Sequence, residues 1–187
     1  MEAFLTSSLL VAVAEIGDKT QLLAIVLATR FRKPLPIVLG ILAATLANHA
    51  LAAFAGQLAA GLLDGQWFRI AVAASFVGMG LWTLVPDKLD EDDRRRARGG
   101  VFLTTLVAFF LVEMGDKTQL ATVALGARFD SLIAVTAGTT LGMMVANVPA
   151  VLLGNALVQR ISMKAVRIVA AASFVAVGLW MLAEALG

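Results

Sequence analysis

Apolar residues run along this chain in long blocks with few polar interruptions. Windows of about twenty apolar residues, the length that crosses a hydrocarbon core as a helix, fit six stretches: Ala3 to Thr29, Pro36 to Leu63, Trp67 to Val85, Val101 to Ala127, Leu132 to Val158 and Ala165 to Leu186. Each predicts a transmembrane helix, because an open backbone in lipid has no other way to pair its polar groups. The connections carry the punctuation of helix ends. Arg30-Phe31-Arg32-Lys33-Pro34 closes the first stretch, Asp64-Gly65-Gln66 the second and Pro86 the third. Only Pro86 to Gly100 is a true linker, with Asp87, Asp90, Glu91, Asp92 and Asp93 followed by Arg94, Arg95, Arg96 and Arg98. It reads as a solvated strap.

The pattern is written twice. An offset of 98 positions superposes Phe4-Leu5-Thr6 on Phe102-Leu103-Thr104, Arg30-Phe31 on Arg128-Phe129, and Gly80-Leu81-Trp82 on Gly178-Leu179-Trp180. Roughly a third of the paired positions are identical, which marks an internal duplication. Residues 1–86 form one predicted repeat, 87–100 a charged cytoplasmic linker and 101–187 the second repeat. Three spans per repeat is an odd number, so the second copy enters from the opposite side of the membrane. The predicted fold is an all-α membrane protein of six transmembrane helices in two inverted three-helix repeats. Trp67, Trp82 and Trp180, near span ends, read as interfacial anchors. The Gly78-x-Gly80 and Gly138 to Gly142 spacings read as packing grooves.

Composition agrees: 60% hydrophobic and 15% charged residues exclude an ordinary soluble domain. Met1-Glu2-Ala3-Phe4 lacks the basic region of a cleavable signal, so the first stretch is expected to be retained as a helix. Without cysteine there is no disulfide framework or thiolate site. A metal site would be built from oxygen, with the single histidine available to add a nitrogen. The net charge of +2 and pI near 9.4 do not indicate a nucleic-acid partner, because most basic residues sit in the short connections. Arg30, Arg32, Lys33, Lys88, Arg94, Arg95, Arg96, Arg98, Arg160, Lys164 and Arg167 fall on one side, against Arg69 and Arg128 on the other. The richer side is cytoplasmic by the positive-inside rule, which turns both termini away from the cytoplasm.

Two heptapeptides break the apolar pattern, Glu15-Ile16-Gly17-Asp18-Lys19-Thr20-Gln21 and Glu113-Met114-Gly115-Asp116-Lys117-Thr118-Gln119. Ionisable groups at such depth cost a few kcal/mol each unless they face a protein interior and find partners, so a site is the default reading. On one helix face, positions three apart align Glu15, Asp18 and Gln21, and likewise Glu113, Asp116 and Gln119. Gly17 and Gly115 permit either close helix approach or a local break that exposes carbonyls. Four carboxylates, two amides and the hydroxyls of Thr20 and Thr118 suit a hard divalent cation such as Ca²⁺ or Mn²⁺. Four acids less the two ammonium groups of Lys19 and Lys117 leave about minus two, matching one dication or two protons. Either lysine pairs with a carboxylate or reaches toward water.

The doubled E-x-G-D-K-T-Q motif, in six spans arranged as two triplets, resembles the MneA-type manganese exporters. These are the bacterial branch of a cation/proton exchanger family whose eukaryotic members handle Ca²⁺ and Mn²⁺ in the Golgi and chloroplast. The resemblance covers nearly the whole chain. It implies export of Mn²⁺, or Ca²⁺, in exchange for protons across a bacterial inner membrane, with no resident cofactor. By position it implies Glu15, Asp18, Glu113 and Asp116 as ion ligands and Gln21 and Gln119 as further ones, with Lys19, Thr20, Lys117 and Thr118 completing the motif.

Weaker candidates stand elsewhere in the spans. Asn48, His49 and Asn147, the last being the repeat equivalent of His49, either line the ion pathway or make helix–helix hydrogen bonds. Ser75 and Ser173 are matched small residues that serve either packing or ion contact. A membrane phosphatase of the undecaprenyl diphosphate type is one rival, but Arg30 and Arg128 lie some three turns from Asp18 and Asp116, too far to clamp a phosphate there. An exporter of small organic solutes is another. It predicts polar aromatic lining, and the chain has no tyrosine.

Overall fold

The computed structural model describes residues 1–63, 65–85, 100–154 and 162–187. The expected strap, apart from Gly100, lies outside these residues, as do Arg160 and the end of the fifth expected span. Among the described residues the chain is all-helical: α1 (Glu2–Glu15), α2 (Lys19–Phe31), α3 (Pro34–Leu62), α4 (Gln66–Thr83), α5 (Val101–Glu113), α6 (Lys117–Arg128), α7 (Leu132–Leu153) and α8 (Met163–Leu186). Among the described residues three segments, Pro34–Leu62, Leu132–Leu153 and Lys164–Leu186, are long and apolar enough to cross a membrane, and Val101–Glu113 is a shorter apolar helix.

Polar and apolar residues are distributed inside out. Leu35, Leu46, Leu51, Phe54, Trp67 and Ile133 are exposed, whereas Glu15, Asn48, His49, Glu113, Thr139 and Asn147 are buried. A water-soluble protein hides the first set and shows the second. This chain is a membrane protein: many large apolar side chains face outward, while polar groups are buried among the helices alongside an apolar core that includes Phe76, Phe109 and Phe174.

The stretches Ala3 to Thr29 and Val101 to Ala127 are not single helices. Each breaks at its heptapeptide, for a reason written in four residues. Ile16 has φ −65° and ψ 117°, Gly17 has φ +80°, and the Asp18 amide donates to the Glu15 carbonyl at 3.1 Å. These are the dihedrals and the closing bond of a type II turn, whose third residue needs positive φ and hence glycine. The second copy repeats it: Met114 at φ −62° and ψ 119°, Gly115 at φ +77°, and Asp116 donating to Glu113 at 3.0 Å. Of the two roles open to these glycines, the local break is the one observed. It also corrects the expectation of one continuous helical stripe. α1 has 14 residues and α2 has 13, so each rises about 20 Å, short of a core about 30 Å thick.

The halves are interleaved. α1 and α2 pack on α7, while α5 and α6 pack on α3, so each broken helix lies against the long helix of the other repeat. At Gly56 of α3 an added Cβ would fall 1.9 Å from the Val123 carbonyl oxygen of α6, and at Gly126 it would fall 2.3 Å from that of Ala53. α3 and α6 therefore touch backbone to backbone. Gly138 and Gly142 admit α1 in the same way, as their spacing predicts. Gly80 and Gly178 sit in the α4–α8 contact beside the Phe76 and Phe174 rings, whose centroids are 6.2 Å apart. Gly78 differs from the predicted groove, since nothing stands within 4 Å of its Cβ position.

These two kinds of glycine differ in what substitution costs. At Gly115 a Cβ meets nothing within 4 Å, so Gly115→Ala loses only the left-handed backbone preference, about 1–2 kcal/mol. Gly56→Ala forces two backbones apart and costs more. Thermal unfolding in detergent should rank the midpoints parent, Gly115→Ala, then Gly56→Ala, with Gly115→Asn above Gly115→Val. A Gly115→Val midpoint equal to the parent's would remove the turn requirement.

Candidate metal centre

The two turns place Glu15 at the end of α1 and Asp18 at the start of α2, and Glu113 and Asp116 likewise on α5 and α6. Asp18 and Asp116 occupy helix N-cap positions, yet neither side chain caps its helix, which leaves both carboxylates for other partners. Carboxylate oxygens of Glu15, Asp18 and Asp116 lie within 4.8 Å of one another, and these residues are 0%, 5% and 2% exposed. Both heptapeptides contribute to this cluster. Glu113 is buried beside it, near enough to Glu15 and Asp116 to feel their charge, but outside the three-carboxylate group.

The lysines cross between the copies. Lys19 Nζ lies 3.2 Å from Asp116 Oδ1, and Lys117 Nζ lies 4.0 Å from Asp18 Oδ1, so each ammonium serves the aspartate of the other heptapeptide. Lys117 also stands over the Trp82 ring at 6.0 Å. Trp82, expected from the sequence only as an interfacial anchor, thus meets a lysine of the motif. The sequence carried one hint of this crossing: a lysine beside an aspartate on a helix points to a different flank and cannot easily pair with it.

The glutamines hold the turns. Gln21 Oε1 accepts from the Gly17 amide at 2.9 Å, and Gln119 Oε1 accepts from the Gly115 amide at 2.6 Å. This resembles a capping box moved out by one residue, satisfying a donor that the broken helix leaves open. The Gln21 amide nitrogen also donates to the Ala146 carbonyl at 2.9 Å, tying α2 to α7. Both amide oxygens expected as ion ligands are therefore already engaged with backbone.

The threonines hold the acids. Thr20 donates to Glu15 Oε2, and Thr118 donates to Asp116 Oδ2 at 3.1 Å. Among the described residues Glu15 Oε1 has no hydrogen-bond partner. A buried acceptor left open costs about 1–3 kcal/mol, and native proteins keep such groups mainly where a ligand, an ion or water completes them.

Around Glu113 the neighbours come from α3. Thr45 and Asn48 donate to its carboxylate at 3.3 Å and 3.4 Å, Asn48 also donates to the Phe110 carbonyl at 2.9 Å, and His49 Nε2 stands 3.9 Å from Oε2. Asn48 makes the helix–helix hydrogen bond that was one of the two roles open to it, and it also meets the Glu113 carboxylate. Thr45 was missed by the sequence reading, since an isolated threonine in an apolar helix carries no distinguishing signal. Asn147 is buried on α7 with its amide donating to the Met143 carbonyl at 3.1 Å. Ser75 and Ser173 donate to Val72 and Val169 carbonyls of their own helices, at 2.6 Å and 2.9 Å. A cavity of about 500 Å³ opens elsewhere, lined by Arg69, Arg128 and Glu184 among others but by no motif residue.

A family model described as "Divalent cation/proton antiporter GDT1" matches residues 3–91 and 101–187. A Vibrio cholerae protein named "Putative manganese exporter" is 48% identical over 90% of this chain and 84% of its own length. A GDT1-like protein of Synechocystis is 30% identical over 90% and 91%, and GDT1-like protein 5 of Arabidopsis thaliana 29% identical over 96% and 94%. No solved structure matches the chain.

The crossed pairs make a prediction about stability. Asp116 is 2% exposed and Lys19 22%, so Lys19→Gln leaves a buried carboxylate without its cation. The cost belongs at or below the low end of the about 3–5 kcal/mol typical of a broken buried pair, because Lys19 keeps some contact with solvent. Lys19→Gln combined with Asp116→Asn should destabilise by less than the sum of the two single changes in detergent unfolding. Strict additivity would show that the pair is not coupled.

Proposed function

Because the chain belongs to the GDT1 family of divalent cation/proton antiporters, we propose that it exports Mn²⁺ from the cytoplasm in exchange for protons, with Ca²⁺ as the other candidate substrate. The observation that carries this reading is the buried cluster of Glu15, Asp18 and Asp116, drawn from both heptapeptides. Three carboxylates within one ion's reach, with Glu113 beside them, form an oxygen site for a hard dication. The similarity to a protein named as a manganese exporter favours Mn²⁺.

On this reading the chain crosses a bacterial inner membrane six times, as two inverted repeats over 1–86 and 101–187, with 87–100 a cytoplasmic linker and both termini on the far side. α1 with α2, and α5 with α6, each make one discontinuous span, and α4 supplies another. The ends of four half-helices then meet near mid-depth, an arrangement that suits ion binding inside a membrane.

Exchange follows from charge. Four acids and two lysines carry about minus two, so a departing dication is replaced by two protons with no net change in the site. Alternating access requires that the repeats rock against each other, and the packing supports this by departing from symmetry. α4 lies against α6 and α8 against α1, whereas the equivalent pairs, α8 on α2 and α4 on α5, are at most marginal contacts. Such inequality is expected when one side of an alternating protein is shut. Arg128 pairs with Glu184 and stacks over Trp180, which leaves it engaged away from the carboxylates and weakens the phosphatase alternative.

Proteoliposomes loaded with a metal-sensitive dye should take up Mn²⁺ under an imposed pH gradient, with protons moving the other way. Asp18→Asn and Asp116→Asn should each reduce uptake by at least about tenfold, since loss of even an outer-shell partner of a metal costs about 10–100-fold. Full uptake in both variants would exclude the cluster as the transport site. Mn²⁺ movement without counterflow of protons would exclude the exchange.

A further inference from the structure

The two halves of the site are not equal, and the inequality is concentrated at one place. The heptapeptides match at every position but one, yet the α3 residues around Glu113 differ from their α7 equivalents: Thr45 corresponds to Met143, Asn48 to Ala146 and His49 to Asn147. Glu113 thus lies against a more polar wall than Glu15 does. His49 is the only histidine in the chain. It is 1% exposed, and among the described residues neither ring nitrogen has a hydrogen-bond partner.

A buried imidazole that uses neither nitrogen is unusual, since the ring carries one donor and one acceptor that burial removes from water. A purely structural histidine would turn one nitrogen to a carbonyl or hydroxyl. Here Nε2 faces Glu113 Oε2 at 3.9 Å, beyond hydrogen-bond range. That separation is natural for two atoms bound to one metal, because bonds of about 2.0–2.6 Å place two ligands no farther apart than about 4–5 Å.

We infer that His49 is a nitrogen ligand to the transported ion, acting with Glu113, and that it makes the site favour a first-row transition dication over Ca²⁺. The inference rests on the carboxylate cluster being the transport site. Ca²⁺ gathers oxygen ligands and gains little from imidazole, while first-row dications accept mixed nitrogen and oxygen shells, with affinity rising from Mn²⁺ through Fe²⁺ to Co²⁺. An all-oxygen cage separates Mn²⁺ from Ca²⁺ only by size and rigidity. One imidazole adds a chemical criterion. It also implies that Co²⁺ competes with Mn²⁺ more effectively than Ca²⁺ does.

The single histidine makes the test direct. Purified protein grown with ¹⁵N-histidine and loaded with Mn²⁺ should show, by pulsed electron paramagnetic resonance, a ¹⁵N coupling where unlabelled protein shows ¹⁴N. Absence of any isotope-dependent coupling would overturn the inference without a mutation. In vesicles, His49→Asn, which copies the residue of the other repeat, should lower the ratio of Mn²⁺ to Ca²⁺ uptake by about tenfold, and Asn147→His should raise it. An unchanged ratio in both variants would overturn the selectivity. Loss of uptake in Asp18→Asn, together with no histidine coupling, would leave the transport site standing and remove only His49 from it. Full uptake in both Asp18→Asn and Asp116→Asn would remove the site itself.

Discussion

Everything in this structure depends on keeping carboxylates charged, or chargeable, in an apolar body. Glu15, Asp18, Glu113 and Asp116 are all nearly inaccessible, and an isolated ion moved to such a place costs several kcal/mol even after relaxation. The fold meets that cost by symmetry. Each heptapeptide supplies an ammonium that the other needs, Lys19 to Asp116 and Lys117 to Asp18. Neither copy is electrostatically sensible alone. The duplication therefore acts as a condition for burial, beyond doubling the number of ligands.

The crossing has geometric requirements. Lysines on α2 and α6 reach across only if those helices start beside each other, and they start there because a type II turn ends α1 and α5 at the same point in each repeat. The glycine sets the turn, the glutamine returns to clasp the glycine amide, and the aspartate begins the next helix without capping it, its carboxylate meeting the other copy's lysine instead. The heptapeptide is thus a folding instruction as much as a ligand set. Backbone contacts at Gly56 and Gly126 hold α6 close to α3, and the close approach of Gly40 to Phe102 and Thr105 holds α5 there as well, where Thr45, Asn48 and His49 meet Glu113.

Much of this was legible in the sequence. The apolar blocks predicted helices, the offset predicted equivalent elements, and the doubled acidic motif predicted where the carboxylates gather. What escaped was local or relational. Apolar periodicity does not report a helix break inside a buried segment, because the residues on both sides stay apolar, and glycine alone left two readings open. A glutamine three positions past an aspartate looks the same whether it binds an ion or a backbone amide. Local spacing says only that a lysine does not serve the aspartate beside it; which aspartate it does serve depends on a partner a hundred residues away. Gly78 resembles Gly80 in sequence, yet only Gly80 faces a neighbouring helix.

The crossed lysines also bear on how such a site lets go of an ion. A cage of four bare carboxylates would hold a dication too firmly to release it on each cycle, since attraction between charges a few ångströms apart strengthens several-fold as the effective dielectric constant falls. Lys19 and Lys117 stand where an incoming ion would draw Asp116 and Asp18, so binding must displace two tethered ammonium groups and release restores them. On the proposed function the ion would be exchanged for internal cations as well as for protons. On the proposed function, the motif's lysines set the depth of the binding well, and the carboxylates alone would set only its location.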